Sequence, residues 1–417
     1  MTSERMRPAQ LLLLVFIPFA TGYFLSFLFR SINAVIATDL VRDLGLNASS
    51  LGFLTAAFFI AFAAIQLPLG VILDRYGAAR VQALLLSIAA LGSALFATAD
   101  TMLDLSLARA LIGIGCAGGL MAAFKAIIRW FPAKNLALVN GCYLSIGGIG
   151  AMSATHPIEL MLTFTDWRGV FLTLAVLSIL SAALILILVP RGDASENPPS
   201  LSIQVRELGG ILTDRLFWRV APVSVLGMGT TMSIQGLWAG PWLTDVADLS
   251  RIEVSHRLLA MAGAMAVGFI GVGYISDRLR AIGISSIKIM AAGTLISIIV
   301  LVAVLARVDL TGWWHWVLFG AIGNVTALVY PTLARHFGNA AAGRANTGNT
   351  MLVFAGTFAI QFAMGAIVDI WPRNEIGAYP AIAYQTAFGV AAICQVGGLI
   401  WLLWPGPDLQ AAEEKCI

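Results

Sequence analysis

The chain has 417 residues, of which 59 % are hydrophobic and 11 % are charged, and its formal net charge is +3. Soluble domains carry about a quarter of their residues as charged side chains, so this composition excludes a soluble globular protein and indicates a membrane protein. The positive charge forms no basic run, which argues against nucleic acid as a partner. The four cysteines show no metal or redox spacing, so neither a metal ion nor a cofactor is expected.

Apolar stretches between charged or Gly/Pro-rich breaks predict twelve membrane-spanning helices. A helix needs about 20 residues to cross the hydrocarbon core, so twelve spans account for nearly the whole chain. The longest polar segment separates a six-helix bundle at 1–189 from a second at 220–417, which ends in a short tail, and forms a linker at 190–219. The predicted spans are 10–40, 51–73, 81–99, 105–128, 137–164, 170–189, 220–245, 258–275, 287–306, 313–333, 347–368 and 382–404.

The distribution of basic residues predicts the orientation in the membrane. With the amino terminus inside, 16 of the 25 Lys and Arg residues fall on the cytoplasmic side and 6 on the other, and the remaining 3 lie within spans. Cytoplasmic loops carry an excess of such residues. Both termini and the central linker are therefore expected in the cytoplasm.

The first predicted span carries an arginine near its middle. Arg30 lies about ten residues inside the outer end, and Phe27 and Asn33 share its side of the helix. A charge at this depth is costly unless a cavity or a partner compensates for it, so it is a functional candidate by default. We expect this face to line a binding cavity. The alternative is a buried structural ion pair.

A patterned polar loop follows span 2. Its glycines, Asp and arginines fit G-x-x-x-D-R-x-G-x-R, and a degenerate copy with Asp277 and Arg278 follows 203 positions later. The pattern resembles the cytoplasmic loop between helices 2 and 3 of major facilitator superfamily transporters, and its recurrence in each half is typical of a duplicated, pseudo-symmetric transporter. Arg75 and Arg80 also suit a purely topological role. The matching residues are Gly70, Asp74, Arg75, Gly77 and Arg80.

This resemblance implies a conformational latch. The carboxylate of Asp74 is expected to meet the positive amino-terminal end of span 11, near 344–348, when the two halves close on each other. Arg129 at the end of span 4 is the expected partner within the first half. Asp277 is expected to make a weaker equivalent contact with the start of span 5.

Span 4 carries a second resemblance to the superfamily. Arg109, Gly113 and Gly115 fit its R-x-x-x-G-x-G element, in which the glycines let neighbouring helices approach closely. Arg109 lies near the outer end, so snorkelling to the interface is the alternative to a role in the conformational machinery. The superfamily places spans 1, 4, 7 and 10 around its central pathway, which makes Lys125 a second candidate cation there. Its alternative is snorkelling towards the cytoplasm.

Span 5 contains the acidic residue that lies deepest in a predicted span. His156 and Glu159 are three residues apart and therefore face the same side of a helix. A desolvated carboxylate can hold a proton near neutral pH, as a proton carrier must. We therefore predict proton coupling at this pair; the alternative is a structural pair. Asp39 and Asp369, at the outer ends of spans 1 and 11, are weaker candidates.

The second half offers aromatic and amide groups instead of charges. On span 7, Gln235, Trp238 and Trp242 follow each other at i, i+3 and i+7, which predicts one stripe facing the ligand. Polar residues also occur in spans 10 and 11, where they either bind the ligand or join helices. These residues are Asn324, Tyr330, Asn349 and Gln361.

Two cations, Arg30 and Lys125, favour an anionic ligand. With the segment at 167–171 that starts span 6, they resemble bacterial organic-anion symporters of the superfamily. Span 5 lacks the proline typical of drug antiporters, and span 7 lacks the additional cation typical of phosphate-ester antiporters. These features predict a monomeric secondary transporter of the inner membrane that takes up a small organic anion with protons by alternating access.

Two other functions stay open. The aromatic span 7 also suits a larger ligand such as a siderophore or a lipid-like metabolite, in either direction of transport. A non-transporting sensor or assembly protein is the third class, because fold does not fix function. An enzyme is not expected, since the sequence shows no nucleophile–base pair, metal cluster or phosphate-binding loop.

Overall fold

The structure is a computed structural model that describes residues 7–132, 135–190, 201–309, 311–375 and 377–405. Within these ranges the regular secondary structure is helical and contains no strand, which confirms the predicted all-α class. Most of the predicted linker before residue 201 and the tail after residue 405 lie outside the described residues. Below, the first half means residues 7–190 and the second half means residues 201–405.

The first half contains ten α-helices, several of which continue one another across short breaks. A π-helical turn at Leu12–Phe16 joins the first two, and the break between α8 and α9 divides predicted span 5. The helices are α1 Pro8–Leu11, α2 Ile17–Ser31, α3 Asn33–Leu44, α4 Ala48–Tyr76, α5 Ala78–Thr98, α6 Met102–Cys116, α7 Gly119–Trp130, α8 Leu136–Ser153, α9 His156–Met161 and α10 Trp167–Leu188.

The second half continues with eight α-helices. A π-helical turn at Ile234–Trp238 joins α12 to α13, and a 3-10 turn at Val325–Leu328 joins α16 to α17. Helix α17 is broken at Gly338, whose φ of 68° lies in the left-handed region. The helices are α11 Leu201–Leu212, α12 Arg215–Ser233, α13 Ala239–Asp245, α14 Arg251–Ala281, α15 Ser286–Leu305, α16 Trp314–Ile322, α17 Val329–Val368 and α18 Ala381–Leu403.

Ten helical segments of the described chain are long and apolar enough to cross a membrane. They correspond to ten of the twelve predicted spans. The other two predictions, spans 5 and 7, fall on α8–α9 and on α12–α13, which are interrupted helices. The protein is therefore a multi-pass membrane protein, and the count of twelve spans stays a prediction.

Local sequence signals explain where the helices begin. The side chain of Asn47 accepts a hydrogen bond from the Ser50 N–H at 2.8 Å, which satisfies a free donor at the start of α4. Before α14, Ser250 and Glu253 form a reciprocal capping box. This cap fixes the start of the helix at Arg251, a residue that returns below.

Glycines bring the helices into close contact. A Cβ atom at Gly113 of α6 would overlap the backbone of Phe58 in α4, and one at Gly115 would overlap that of Ala89 in α5. At Gly150 of α8 it would overlap the backbone of Phe24 in α2. The close approach predicted for spans 4 and 5 is therefore present.

The two halves meet along several helices. Helix α4 packs along α17, and α8 packs against α14. We call the end of the molecule that carries Asp74 the motif end and the other the opposite end. At the opposite end the halves touch backbone to backbone, since Gly240 lies against Ala34 and Gly365 against Ala48.

Candidate functional site

A cavity of about 830 Å³ lies between the two halves. In the first half its wall is formed by α2, α4, the end of α6, α7 and α8. In the second half it is formed by α11, α12, the π-helical turn, α14, the segment from Asn324 to Tyr330, and the part of α17 that follows Gly338. It extends from Arg30 in the interior to Asp74, Lys125 and Arg344 at the motif end. The cavity therefore lies on the motif side of the contacts that close the opposite end.

Arg30 lines the inner part of the cavity as predicted. Its guanidinium carbon lies 4.5 Å from the ring centroid of Phe27, 5.0 Å from that of Phe354 and 5.7 Å from that of Phe62. No ion pair of the described residues involves Arg30, and its Nε atom is buried without a hydrogen-bond partner. Within the part of the chain that the structure describes, the alternative of a structural ion pair is therefore wrong.

The rings of Phe62 and Phe354 stack across the two halves. Their centroids are 3.9 Å apart and their planes differ by 7°. Phe62 belongs to α4 and Phe354 to α17, so this stack closes the cavity beside Arg30. Aromatic faces stabilise a cation by about 0.5–2 kcal/mol, which is much less than a charged partner contributes once water is excluded.

The second half presents neutral donors to the same cavity. Gln235 and Asn324 line it, and the side-chain nitrogen of each is buried without a partner. Tyr330 also lines it, and its hydroxyl oxygen accepts a hydrogen bond from the Thr350 hydroxyl at 3.2 Å. These predicted residues thus lie in one cavity with Arg30.

The two tryptophans of the aromatic stripe predicted for span 7 do not face the cavity in this conformation. Trp238 is buried and donates to the backbone oxygen of Gln361 at 3.2 Å, while Trp242 packs against Trp316 with centroids 5.2 Å apart. Neither tryptophan lines the cavity. The cause is the π-helical turn at Ile234–Trp238, which adds a residue to the turn and rotates the following side chains away from Gln235.

Three other predicted ligand residues lie away from the cavity. Asn33 donates to the Thr55 hydroxyl at 2.7 Å, and Asn349 donates to the Ser224 hydroxyl at 3.1 Å. Gln361 is fully buried, and its backbone oxygen lies next to Gly52 of α4. In this conformation Asn33 and Asn349 join helices; for Asn349 this is the alternative that the sequence left open, whereas Asn33 was expected to line the cavity.

Lys125 and Asp74 pair with each other. The Lys125 ammonium lies 2.9 Å from the Asp74 carboxylate and donates to the backbone oxygen of Leu73 at 2.6 Å. Helices α4 and α7 both belong to the first half, so this pair does not hold the halves together. Asp74 and Arg344 of span 11 line the same cavity, and the expected contact of Asp74 with the start of span 11 stays a prediction.

The remaining motif residues lie on the surface of the motif end or at turns. Gly70 lines the cavity, and Gly77 has a φ of 82°, which favours glycine at this turn. Arg75, Arg80, Arg129 and Arg278 are exposed. Asp277 pairs with Arg280 of its own helix at 3.6 Å, and its expected contact with the start of span 5 stays a prediction.

Arg109 does not snorkel. It is fully buried, donates to the backbone oxygen of Phe29 at 2.9 Å and lies within 6.0 Å of the ring centroids of Phe58, Phe96 and Phe171. Its position links α6 to α2, α4, α5 and α10. Arg109 therefore stabilises the packing of the first half and does not line the cavity.

The predicted proton pair lies at the opposite end, outside the cavity. Glu159 accepts hydrogen bonds from Arg251 at 2.9 and 3.2 Å, and Arg251 also binds both oxygens of Asp39 at 2.8 Å. The Nδ1 atom of His156 lies 3.0 Å from the Ser255 hydroxyl. His156 and Glu159 therefore take part in contacts between the two halves.

One ionisable pair at the motif end lies outside the predicted spans. Asp214 accepts from the Phe217 N–H at 2.9 Å, and its carboxylate lies 3.0 Å from His336 Nε2. Burial alone would raise the pKa of Asp214, but the hydrogen bonds from His336 and Phe217 outweigh it and hold the pKa below its ordinary value. The pair connects the start of α12 to α17.

The sequence analysis did not identify some residues of the site. Phe62 and Phe354 are unremarkable apolar residues of spans 2 and 11, and only the packing of α4 on α17 shows that they flank Arg30. Arg251 counts in the sequence as one of six basic residues on the outer side. The capping box beside Arg251 was one available signal. Its acidic partners, Asp39 and Glu159, lie far from it in the chain and could not be assigned to it from the sequence.

The fold and the cavity define a multi-pass membrane protein with a central polar site between two halves. A sequence profile of the Major Facilitator Superfamily matches residues 19–363, and the chain belongs to this family of transporters. It is 25 % identical over 274 residues to a probable sulfoacetate transporter of Cupriavidus necator, covering 62 % of this chain and 63 % of that protein, just under two thirds of its length.

Two further comparisons span nearly the whole chain. The hexuronate transporter of Escherichia coli is 23 % identical over 427 residues, which covers 94 % of each protein. A crystal structure of a bacterial homologue of the human lysosomal transporter Spinster, inward-facing and unoccupied, superposes with a TM-score of 0.72 at 18 % identity, covering 99 % of this chain and 98 % of that one. The last similarity shows the fold alone.

Proposed function

We propose that this protein carries a small organic anion across the inner membrane by alternating access of the central cavity. The observation that carries this proposal is the Arg30 guanidinium, which lines the cavity, rests on aromatic rings and has no anionic partner among the described residues. A carboxylate or sulfonate supplies two acceptor oxygens that match the geometry of an arginine.

The rest of the cavity suits the same class of ligand. Among the described residues, its charged lining consists of Arg30, Lys125, Arg344 and Asp74, and Asp74 is paired with Lys125. The unpartnered amide nitrogens of Gln235 and Asn324 can donate to oxygens elsewhere on the ligand. Relatives described as a hexuronate transporter and a probable sulfoacetate transporter are named for substrates that carry carboxylate or sulfonate groups.

The orientation follows from the basic residues. If the motif end faces the cytoplasm, as the excess of Lys and Arg predicts, the cavity is open to the inside and closed to the outside. Uptake would then proceed from the alternate conformation, in which the opposite end opens. We extend the proposal to twelve spans, two six-helix bundles and cytoplasmic termini, as the sequence predicts.

Proton coupling remains a prediction. His156 and Glu159 lie at the closed end and do not line the cavity, so their role as carriers needs a path that this conformation does not offer. Anion uptake into proteoliposomes under an imposed pH gradient, with a pH-sensitive dye inside, measures whether protons enter with the anion. Uptake that continues unchanged without the gradient and without proton entry would argue against symport.

The central test is anion binding to the purified protein. Galacturonate and sulfoacetate should raise the melting temperature, and neutral galactose should not. Arg30→Ala should weaken binding by roughly 2–5 kcal/mol, and Arg30→Lys should restore only part because it lacks the bidentate geometry. Arg307→Ala is the matched control, since Arg307 is an exposed arginine outside the cavity lining and outside the motif.

The outcomes separate the candidate functions. Equal binding of the anions by Arg30→Ala and by the unmodified protein would refute an anion site at Arg30. Binding without transport in proteoliposomes would favour the sensor class. Preference for a large neutral ligand over every small anion would favour the second transporter class.

A further inference from the structure

The contacts that close the opposite end include five ionisable side chains. Asp39, Glu159 and His156 belong to the first half, and Arg251 and His256 belong to the second. We call these five residues the sealing cluster. The cluster lies outside the transport cavity.

The acidic members depend on a partner from the other half. The side chains of Asp39 and Glu159 are only 8 % and 12 % exposed, whereas that of Arg251 is 41 % exposed. Arg251 binds the two carboxylates with four hydrogen bonds of 2.8–3.2 Å. Opening of this end must separate Arg251 from both carboxylates, which removes the cation that they share across the two halves.

The histidine members also face each other across the halves. The ring centroids of His156 and His256 are 4.6 Å apart, with 48° between the ring planes. Neutral rings pack at this distance, but two imidazolium ions repel each other. Protonation of both would also place positive charge at the interface that Arg251 already occupies.

Other charged groups near the cluster do not reverse these effects. Arg42 lies 3.2 Å from Asp39 on the same helix and is itself paired with Asp43 at 2.9 Å. Besides His256, the neighbour of His156 on α14 is the Ser255 hydroxyl, which is neutral. Protonating the carboxylates removes attraction between the halves, and protonating the histidines adds repulsion, so both changes favour opening.

We propose that the sealing cluster is a proton-binding site whose protonation opens the opposite end, and that it regulates access to the cavity without carrying the proton across. That the cluster does not carry the proton across follows from what the closed state of the opposite end requires. Closure requires charged carboxylates on Arg251, so the protons must leave before the cluster re-forms, towards the side from which they came. This proposal rests on the alternating-access part of the proposed function.

The test measures distances by pulsed electron paramagnetic resonance in nanodiscs without ligand. In a cysteine-free background, spin labels at Phe164→Cys and Ile370→Cys report the opposite end, and labels at Tyr76→Cys and Ile282→Cys report the motif end. All four positions are exposed. Between about pH 8 and about pH 5.5, the population with a longer distance at the opposite end should grow at least about fivefold, while the distance at the motif end shortens.

Two double variants assign the effect. Asp39→Asn with Glu159→Gln mimics the protonated carboxylates and should be open at the opposite end already at high pH. His156→Asn with His256→Asn should stay closed over a wider acidic range. Asp100→Asn is the matched control, because Asp100 pairs with Arg168 at 2.9 Å near the same end but within the first half alone.

Each outcome is decisive. If distances at the opposite end do not change with pH, or if the histidine variant responds like the unmodified protein and the carboxylate variant stays closed, the proposal is wrong. Should the carboxylate variant fail to fold, Arg251→Lys serves instead, with partial opening expected at high pH. A second measurement adds galacturonate. Distances that respond to galacturonate but not to pH would refute the cluster alone, and distances that respond to neither would also refute alternating access.

Discussion

Gly240 offers the sharpest test of how the opposite end is closed. This residue of α13 packs against the backbone of Ala34 in α3, and a Cβ atom placed on it would lie far inside the contact distance of the Ala34 carbonyl oxygen. Gly240→Ala therefore cannot be accommodated without moving the two halves apart. Ala34 and Gly240 lie in opposite halves, so opening of this end relieves the overlap.

The magnitude follows from two opposing terms. Overpacking a tight contact costs about 1–3 kcal/mol, and this cost applies only while the opposite end is closed. Alanine in place of glycine favours a helix by about 0.8–1.0 kcal/mol, and this gain applies in both conformations. The population should shift towards the conformation open at the opposite end by about fivefold to 150-fold, with little change in melting temperature.

The assay is the distance measurement with labels at Phe164→Cys and Ile370→Cys. Gly389→Ala is the control, since Gly389 lies in α18 with no atom near the position of an added Cβ. The control should leave the distances unchanged. An unchanged distance distribution in Gly240→Ala would show that the contact with Ala34 does not close this end, and a large fall in melting temperature without a shift would indicate misfolding instead.

Three further predictions concern stability. Arg109→Ala should lower the melting temperature strongly, by the equivalent of about 2–4 kcal/mol, since it empties a buried site and removes the donor to Phe29, while the preference for anions over galactose stays unchanged. Tyr143→Phe should cost about 1 kcal/mol in thermal unfolding, because the hydroxyl donates to the Gly119 oxygen at 2.6 Å. The lowered pKa of Asp214 stabilises the fold above the ordinary pKa of about 3.9, and this contribution is lost as pH falls through the lowered value, so melting curves of Asp214→Asn should lack that acidic loss.

The sequence predicted the parts of the site that single residues determine. An arginine inside an apolar span has few possible environments, and Arg30 lies at the cavity, while its role as a ligand-binding residue stays a prediction. The glycines of spans 4 and 5 likewise lie at helix contacts that leave no space for a side chain. Composition and span length were enough for the fold class, because lipid restricts the backbone to few structures.

The parts that the sequence missed depend on contacts between distant segments. The side that Trp242 faces depends on the π-helical turn. Just after that turn, Gly240 packs against the backbone of the first half. The partner of Asp74 depends on which conformation the halves adopt. Lys125 pairs with Asp74 in this conformation, and Arg344 at the start of span 11 lines the same cavity.

In the transporter without ligand, the aromatic surroundings of Arg30 leave its positive charge without a counter-ion. Rings at 4.5–5.7 Å hold the guanidinium in place but do not neutralise it. Sealing both ends around this cation without an anion would strip its remaining water, at a cost of several kcal/mol. A bound anion acts as the missing counter-ion and lowers that barrier. Counterflow of labelled anion between two filled compartments should therefore run faster than net release into an anion-free one.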